Sequence, residues 1–233
     1  MTAVLVAEGL RKVYRGGDGS LIEVLSGVDL SVARGEFVAI VGESGAGKST
    51  LLQLLGALDR PTAGVVRLAG EVYAEQAPDA LARLRNRKLG FVFQFHHLLR
   101  EFTALENVMM PLLIGGAAEA AARSRAEELL AAVGLAGRMT HRPGALSGGE
   151  QQRTAVARAL AADPLVVLAD EPSGNLDSRN SERLHDLFAS LAREFETALV
   201  VVTHNRSLAG RADRVLSLDG GRLVSVAGAE AGT

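Results

Sequence analysis

The stretch FVAIVGESGAGKSTLLQLLGALD, residues 37 to 59, constrains the fold more than any other. FVAIV is a continuous apolar run of strand length, as expected of a parallel strand buried on both faces. GESGAGKST follows, and Leu51, Leu52, Leu54, Leu55 and Leu58 then recur at helical spacing, with Pro61 just past the expected helix end. A buried strand, a glycine loop and a helix in that order point to an α/β chain. The loop fits G-x-x-x-x-G-K-[ST], a pattern whose glycines let backbone N–H groups cradle phosphates while the following helix adds its positive end. Gly42, Glu43, Ser44, Gly45, Ala46, Gly47, Lys48, Ser49 and Thr50 are therefore candidate nucleotide-binding residues. Lys48 can reach the β- and γ-phosphates, and Ser49 can ligate Mg2+.

The rest of the chain supplies the layers such a strand needs. VLVAEGLRKVY and LIEVLSGVDLSV, separated by RGGDGS, read as an N-terminal antiparallel sheet, and GVVRLAGEVY (64 to 73) as a further hairpin. DALARLRNRK reads as a helix and LGFVFQ (89 to 94) as a strand. From about Phe95 to Asp163 strand runs vanish and alanine and leucine dominate, which marks an inserted helical subdomain. Strand and helix then alternate again through LVVLAD, a helix near 178 to 195, ALVVVTH, a short helix and RVLSLDGG with a last hairpin. That alternation implies a parallel sheet. SVAGAEAGT reads as a disordered tail.

No apolar run reaches the 18 or more residues of a membrane span; VMMPLLIGGAA (108 to 118) is too short and carries Pro111. The N-terminus lacks the basic and apolar regions of a signal peptide. Cysteine is absent, which excludes disulfides and thiolate metal sites. A net charge of −2 without basic blocks argues against a nucleic-acid partner.

Further candidates sit at predicted strand ends. Asp170 and Glu171 close LVVLADE, where the first can hold Mg2+ and the second can polarise a water. His204 follows ALVVVT and can contact a γ-phosphate or that water, and Gln94 ends LGFVFQ and can sense metal or water. Tyr14, before a glycine turn, can stack on a base. Taken singly, Gln94 and His204 read more readily as surface or packing residues, and Tyr14 as a half-buried strand tyrosine. ALSGGEQQR (145 to 153) opens a helix, with Ser147 as N-cap and Glu150 at the capping-box spacing. That account leaves Gly148 and Gly149 unexplained, since each weakens a helix by roughly 0.5–1 kcal/mol relative to alanine. Bare N–H groups at a helix start do form an anion site.

Taken in order, Tyr14, GESGAGKS, Gln94, LSGGE, LVVLADE and His204 resemble the ATP-binding cassette (ABC) ATPases along essentially the whole chain. The resemblance implies a P-loop NTPase, RecA-like core with a parallel sheet, an N-terminal antiparallel β subdomain and an inserted α-helical subdomain. Residues 1–94 and 164–225 would form the core, 95–163 the helical subdomain and 226–233 a flexible tail of one domain. It implies ATP and Mg2+ (the metal on Ser49, Gln94 and Asp170), Glu171 as general base, His204 as switch and an ATP-dependent homodimer. In that dimer Ser147, Gly148 and Gly149 reach the partner's nucleotide in trans, as does Asp177 of GNLD. Integral membrane permease subunits would dock near the Gln94 groove. QFHHLL, FTALENVMMPLL and ADEPSGNLD look most like the ATPase subunits of bacterial lipoprotein-releasing systems, on the cytoplasmic face of the inner membrane. Macrolide-export and cell-division cassettes share much of this wording. Serine at 173, asparagine at 205 and GEQQR depart from the usual pattern. A soluble cassette acting on DNA or ribosomes is the alternative of another class; a monomeric P-loop kinase leaves the signature and His204 unexplained.

Overall fold

The computed structural model describes residues 3–226, apart from the side chains of 191–194. Two sheets organise it. The long strands β1 (Ala3–Arg15) and β2 (Leu21–Ala33) pair antiparallel and are joined by β4 (Ala63–Leu68) and β5 (Glu71–Val72) in the order β2-β1-β4-β5. The second sheet has β3 (Phe37–Val41), β6 (Leu89–Phe93), β7 (Val166–Asp170), β8 (Ala198–Val202), β9 (Arg214–Asp219) and β10 (Arg222–Ser225), in the order β10-β9-β3-β8-β7-β6. All its neighbours are parallel except β9 and β10.

The apolar runs behave as two-faced strands. Val38, Ile40, Val166, Leu168, Val200 and Val202 enter one core with the antiparallel sheet and α1 (Lys48–Leu55), which buries Leu51, Leu52, Leu54 and Leu55. Phe37, Val167, Ala169, Leu199 and Val201 point the other way. They meet α3 (Ala104–Ile114), α4 (Glu119–Ala132), α5 (Gly148–Leu160) and α6 (Ser178–Glu194) in the second core. The helix α2 (Pro78–Lys88) leads into β6, and α7 (Arg206–Ala209) follows β8.

Three details differ from the sequence pattern. Leu58 matches the helical period but is 51% exposed, because α1 stops at Gly56, where a Cβ would lie 2.5 Å from the Phe91 ring. Gln94 lies one residue beyond β6 rather than within it. Pro111 sits inside α3 instead of breaking it. The expected flexible tail falls, from residue 227 on, outside the described residues.

Candidate active site

Every chemistry-bearing strand residue leaves the C-terminal end of a parallel strand. The phosphate loop follows β3, Gln94 follows β6, Asp170 ends β7 before Glu171, and Thr203 and His204 follow β8. Ligands of open α/β sheets bind along that edge. The loop is shaped by steric need: Gly47 caps α1 with φ +97°, and a Cβ there would come within 2.7 Å of Val24 on β2. The antiparallel sheet thus presses on the loop from one side. On the other, residues 42–46 and 217–220 with Val224 line a cleft of about 570 Å3. Lys48 curls back so that Nζ donates to the carbonyls of Gly42 and Glu43, both at 2.8 Å. Its ammonium therefore stands at the loop mouth, and no acid in the first turn of α1 offsets the helix's positive end.

Asp170 and Glu171 face this loop differently. Burial, with some repulsion from Glu171, pushes the Asp170 carboxyl above its ordinary range, while Ser49's hydroxyl and Lys48's ammonium pull it down. The Asp170 carboxylate and the Ser49 hydroxyl beside it are the kind of oxygen donors that a hard cation favours. Glu171 adopts φ +43°, a left-handed conformation uncommon outside glycine. The turn is held by its own N–H donating to Val202 O at 2.9 Å. Its carboxylate accepts from Thr203 Oγ1 (3.1 Å) and the His204 N–H (3.0 Å), and His204 Nδ1 lies 2.8 Å from Oε1. The Glu171 side chain is 17% exposed and that of His204 74%. His204 is thus no packing residue; it stands in solvent against the acid.

Gln94 donates from Nε2 to Asn175 Oδ1 (3.0 Å), and Asn175 Nδ2 returns a bond to Gln94 O (3.2 Å). These bonds join the strand end to the GNLD turn. Two residues on α5 grip the backbone on either side of Gln94. Buried Gln152 donates to Phe93 O at 3.1 Å, and Arg158 donates to His97 O and His96 O at 2.7 and 2.9 Å. Sequence reasoning missed Thr203, Asn175, Gln152 and Arg158. Thr203 alone carried a signal, as a polar residue directly after an apolar strand.

ALSGGEQQR forms the expected cap. Ser147 Oγ accepts from Glu150 N and Glu150 Oε2 accepts from Ser147 N. The Ser147 N–H first, then Arg138 at 2.9 Å, hold the Glu150 carboxyl down at about 2. The N–H groups of Gly148 and Gly149 remain first-turn donors without helical acceptors. The glycines differ, however: Gly148 is exposed, whereas Gly149 is buried against α6, where a Cβ would lie 2.7 Å from Asn180 Oδ1. Asp177 precedes α6 and accepts from Asn180 N at 2.9 Å. Tyr14 is not drawn into this convergence. Its hydroxyl donates to Asp59, beyond the far end of α1 from the loop, and Lys12 lies over its ring.

The ABC transporter family profile matches residues 25–174. A lipoprotein-releasing system ATP-binding protein LolD of Geobacter metallireducens is 53% identical over 97% of this chain and all of its own length. The LolD of Xanthomonas oryzae pv. oryzae is 56% identical, covering 97% of this chain and 92% of that one. Among solved structures, the dimeric bacterial ABC transporter cassette MJ0796 superposes with a TM-score of 0.86 at 39% identity, covering 94% of this chain and 96% of the other. A profile spanning the phosphate loop through the acidic strand end, and relatives more than half identical along nearly the whole length, leave one reading: this chain belongs to the ABC transporter family and is one of its ATP-binding, ATP-hydrolysing cassettes.

Proposed function

We propose that this cassette powers release of lipoproteins from the bacterial inner membrane toward the outer membrane, working as an ATP-dependent homodimer on the membrane's cytoplasmic face. The observation that carries this reading is the identity of 53% or more to lipoprotein-releasing relatives over nearly the full chain. No described helix is long and apolar enough to cross a membrane, so the reading assigns the membrane path to separate permease subunits, two per complex.

Within the cassette, Lys48 and the loop N–H groups hold the β- and γ-phosphates. Ser49, Asp170 and Gln94 offer oxygen donors for Mg2+, which supplies charge shielding of the phosphates when bound. Glu171 accepts the proton of the attacking water, and His204 and Thr203 fix the carboxylate's direction. Ser147, Gly148, Gly149 and Asp177 meet the nucleotide of the second copy. Residues 95–163 form the helical subdomain that faces the permeases. Their docking site is the cleft of about 350 Å3 lined by Arg85, Asn86, Phe91, Phe93, Pro111 and Arg158, next to exposed Phe95.

The test is reconstitution with the two membrane subunits of a lipoprotein-releasing system in liposomes carrying a labelled lipoprotein. ATP-dependent transfer of the lipoprotein to a soluble carrier is expected. Failure to associate with those subunits, or association instead with macrolide-efflux or cell-division subunits, refutes the reading.

A further inference from the structure

The signature turn and the GNLD turn lie 30 residues apart in sequence at Ser147 and Asp177, yet one side chain touches both. Asn180, in the first turn of α6, donates from Nδ2 to Asp177 Oδ2 at 2.7 Å, and its backbone N–H donates to Oδ1 at 2.9 Å. Its other side-chain atoms fill the space a Cβ on Gly149 would occupy: Oδ1 would stand 2.7 Å and Cγ 2.8 Å from it. Asn180 has little freedom to yield, because Asp177 pins the amide from the far side. Those two bonds also hold the Asp177 carboxyl below its ordinary range, so it is a charged acceptor. A Cβ on the neighbouring Gly148 would meet Leu176 of the same turn at an ordinary 3.8 Å. The glycine at 149 thus has a reason inside its own chain: it admits Asn180.

We infer that Asn180 is a positioning residue that fixes the Asp177 turn against the start of α5, so that the two elements meet a second copy's nucleotide as one rigid surface. The inference rests on the proposed reading that both elements act in trans. Neither Asn180 contact touches the phosphate loop of its own chain, so its loss leaves nucleotide binding by the monomer intact and weakens only the two-copy assembly. Preorganisation of this kind acts through the ordering that assembly would otherwise require.

The experiment uses the full chain carrying Glu171→Gln, which holds ATP without turnover, and measures the dimer dissociation constant by sedimentation with saturating ATP. Adding Asn180→Ala should raise that constant about tenfold, the scale of ordering one or two further side chains on assembly. Fluorescent-nucleotide affinity of the dilute monomer should not change. Asn180→Ser, which keeps a donor on a shorter arm, should recover part of the loss and guards against a misfolded alanine variant. Gly149→Ala should weaken the dimer strongly alone but add less in the Asn180→Ala background, where only the Cβ at 180 remains, 3.2 Å from the added methyl, in place of the amide at 2.7 and 2.8 Å. Additive losses, or a dimer unaffected by Asn180→Ala, overturn the inference while leaving the in-trans reading standing. No ATP-driven dimer from Glu171→Gln alone overturns both.

Discussion

Gln152→Met tests a buried bond whose balance can be worked from its two ends. The Gln152 side chain has no solvent exposure. Nε2 donates to Phe93 O at 3.1 Å, while Oε1 is buried with no hydrogen-bond partner. Methionine keeps the length and roughly the volume of glutamine and removes both polar atoms. Losing the bond leaves the Phe93 carbonyl without this donor, which costs about 1–3 kcal/mol. Removing the orphan oxygen returns the penalty of a buried unsatisfied acceptor, about 1–3 kcal/mol. The terms nearly cancel, so the variant should lie within about 1 kcal/mol of the parent, or about 2–4 °C in thermal midpoint for a chain of this size. Gln152→Ala removes the same orphan but leaves a cavity. Large-to-alanine changes in cores cost about 2–5 kcal/mol, so alanine should fall clearly below methionine.

Scanning calorimetry of the three proteins at neutral pH, without nucleotide, gives the ranking. A midpoint fall for Gln152→Met as large as that for Gln152→Ala would refute the reasoning, because it would mean the orphan oxygen is satisfied and the amide earns its place by stability. The expected outcome leaves a different reason for a buried glutamine at this position. It hangs α5 from the strand end that carries Gln94. ATP turnover by Gln152→Met should therefore fall although its stability does not.

Three further outcomes are expected. Lys48→Ala should abolish ATP turnover by removing the ammonium at the loop mouth, and normal turnover in a phosphate-release assay would sink the phosphate-loop assignment. Asp170 has its carboxyl raised, chiefly by burial, so the folded state is favoured fully only at low pH and loses that advantage as pH rises through the raised value. Asp170→Asn should hence raise the nucleotide-free midpoint at pH 7, by roughly 0.5–2 kcal/mol in stability, with the gain fading toward about pH 4 while hydrolysis is lost. A destabilised Asp170→Asn at pH 7 contradicts this. Glu150 is the opposite case: its carboxyl is lowered from 4.5 to about 2, so its contribution is complete above pH 4.5 and disappears as pH falls toward 2. Glu150→Ala should cost about 1–2 kcal/mol at pH 7 through the lost cap and the partly exposed Arg138 pair. In chemical denaturation the gap to the parent should narrow only below pH 4.5; a constant gap down to pH 3 would be inconsistent with that shift.

The parallel sheet was legible because burial on both faces leaves a strong trace: FVAIV, LVVLAD and ALVVV each became a strand within a residue of the expected place. The capping box of Ser147 and Glu150 was equally legible, since its partners lie three residues apart. What stayed hidden joins residues that are distant in the chain and polar. Gln152 reaches Phe93 across 59 positions, and Asn180 fills the space beside Gly149. Neither contact leaves a period or a local spacing. A helix's polar residues read alike whether they face water or a neighbouring strand, so Gln152 resembled any surface position. Gly149 shows the opposite failure: a local rule marked it as anomalous, and the cause lay on another helix. Tyr14 was correctly expected on a strand before a turn, but its bond to Asp59 depends on how β1 meets the end of α1.

Strand register explains why the cis half of the site needs so few dedicated contacts. Phe93 pairs with Asp170, Asp170 with Val202, and Val202 with Ile40. The next rank along the sheet edge is therefore Gln94, Glu171, Thr203 and Val41, the last leading into the phosphate loop. A one-residue slip in any strand would turn its member of the rank to the opposite face. Val38, Ile40, Val166, Leu168, Val200 and Val202 oppose every such slip, because each would have to exchange cores. The groups proposed to act in trans have no comparable ladder. Ser147 and Asp177 stand at helix starts, held by single caps, with Asn180 between them. Substitutions in the rank should consequently change chemistry in the same chain, whereas substitutions at the caps should change assembly first. Mixed dimers of one Lys48→Ala and one Ser147→Ala chain separate the two classes: if the cis and trans halves are as proposed, both lesions fall on one composite site and the other site remains whole.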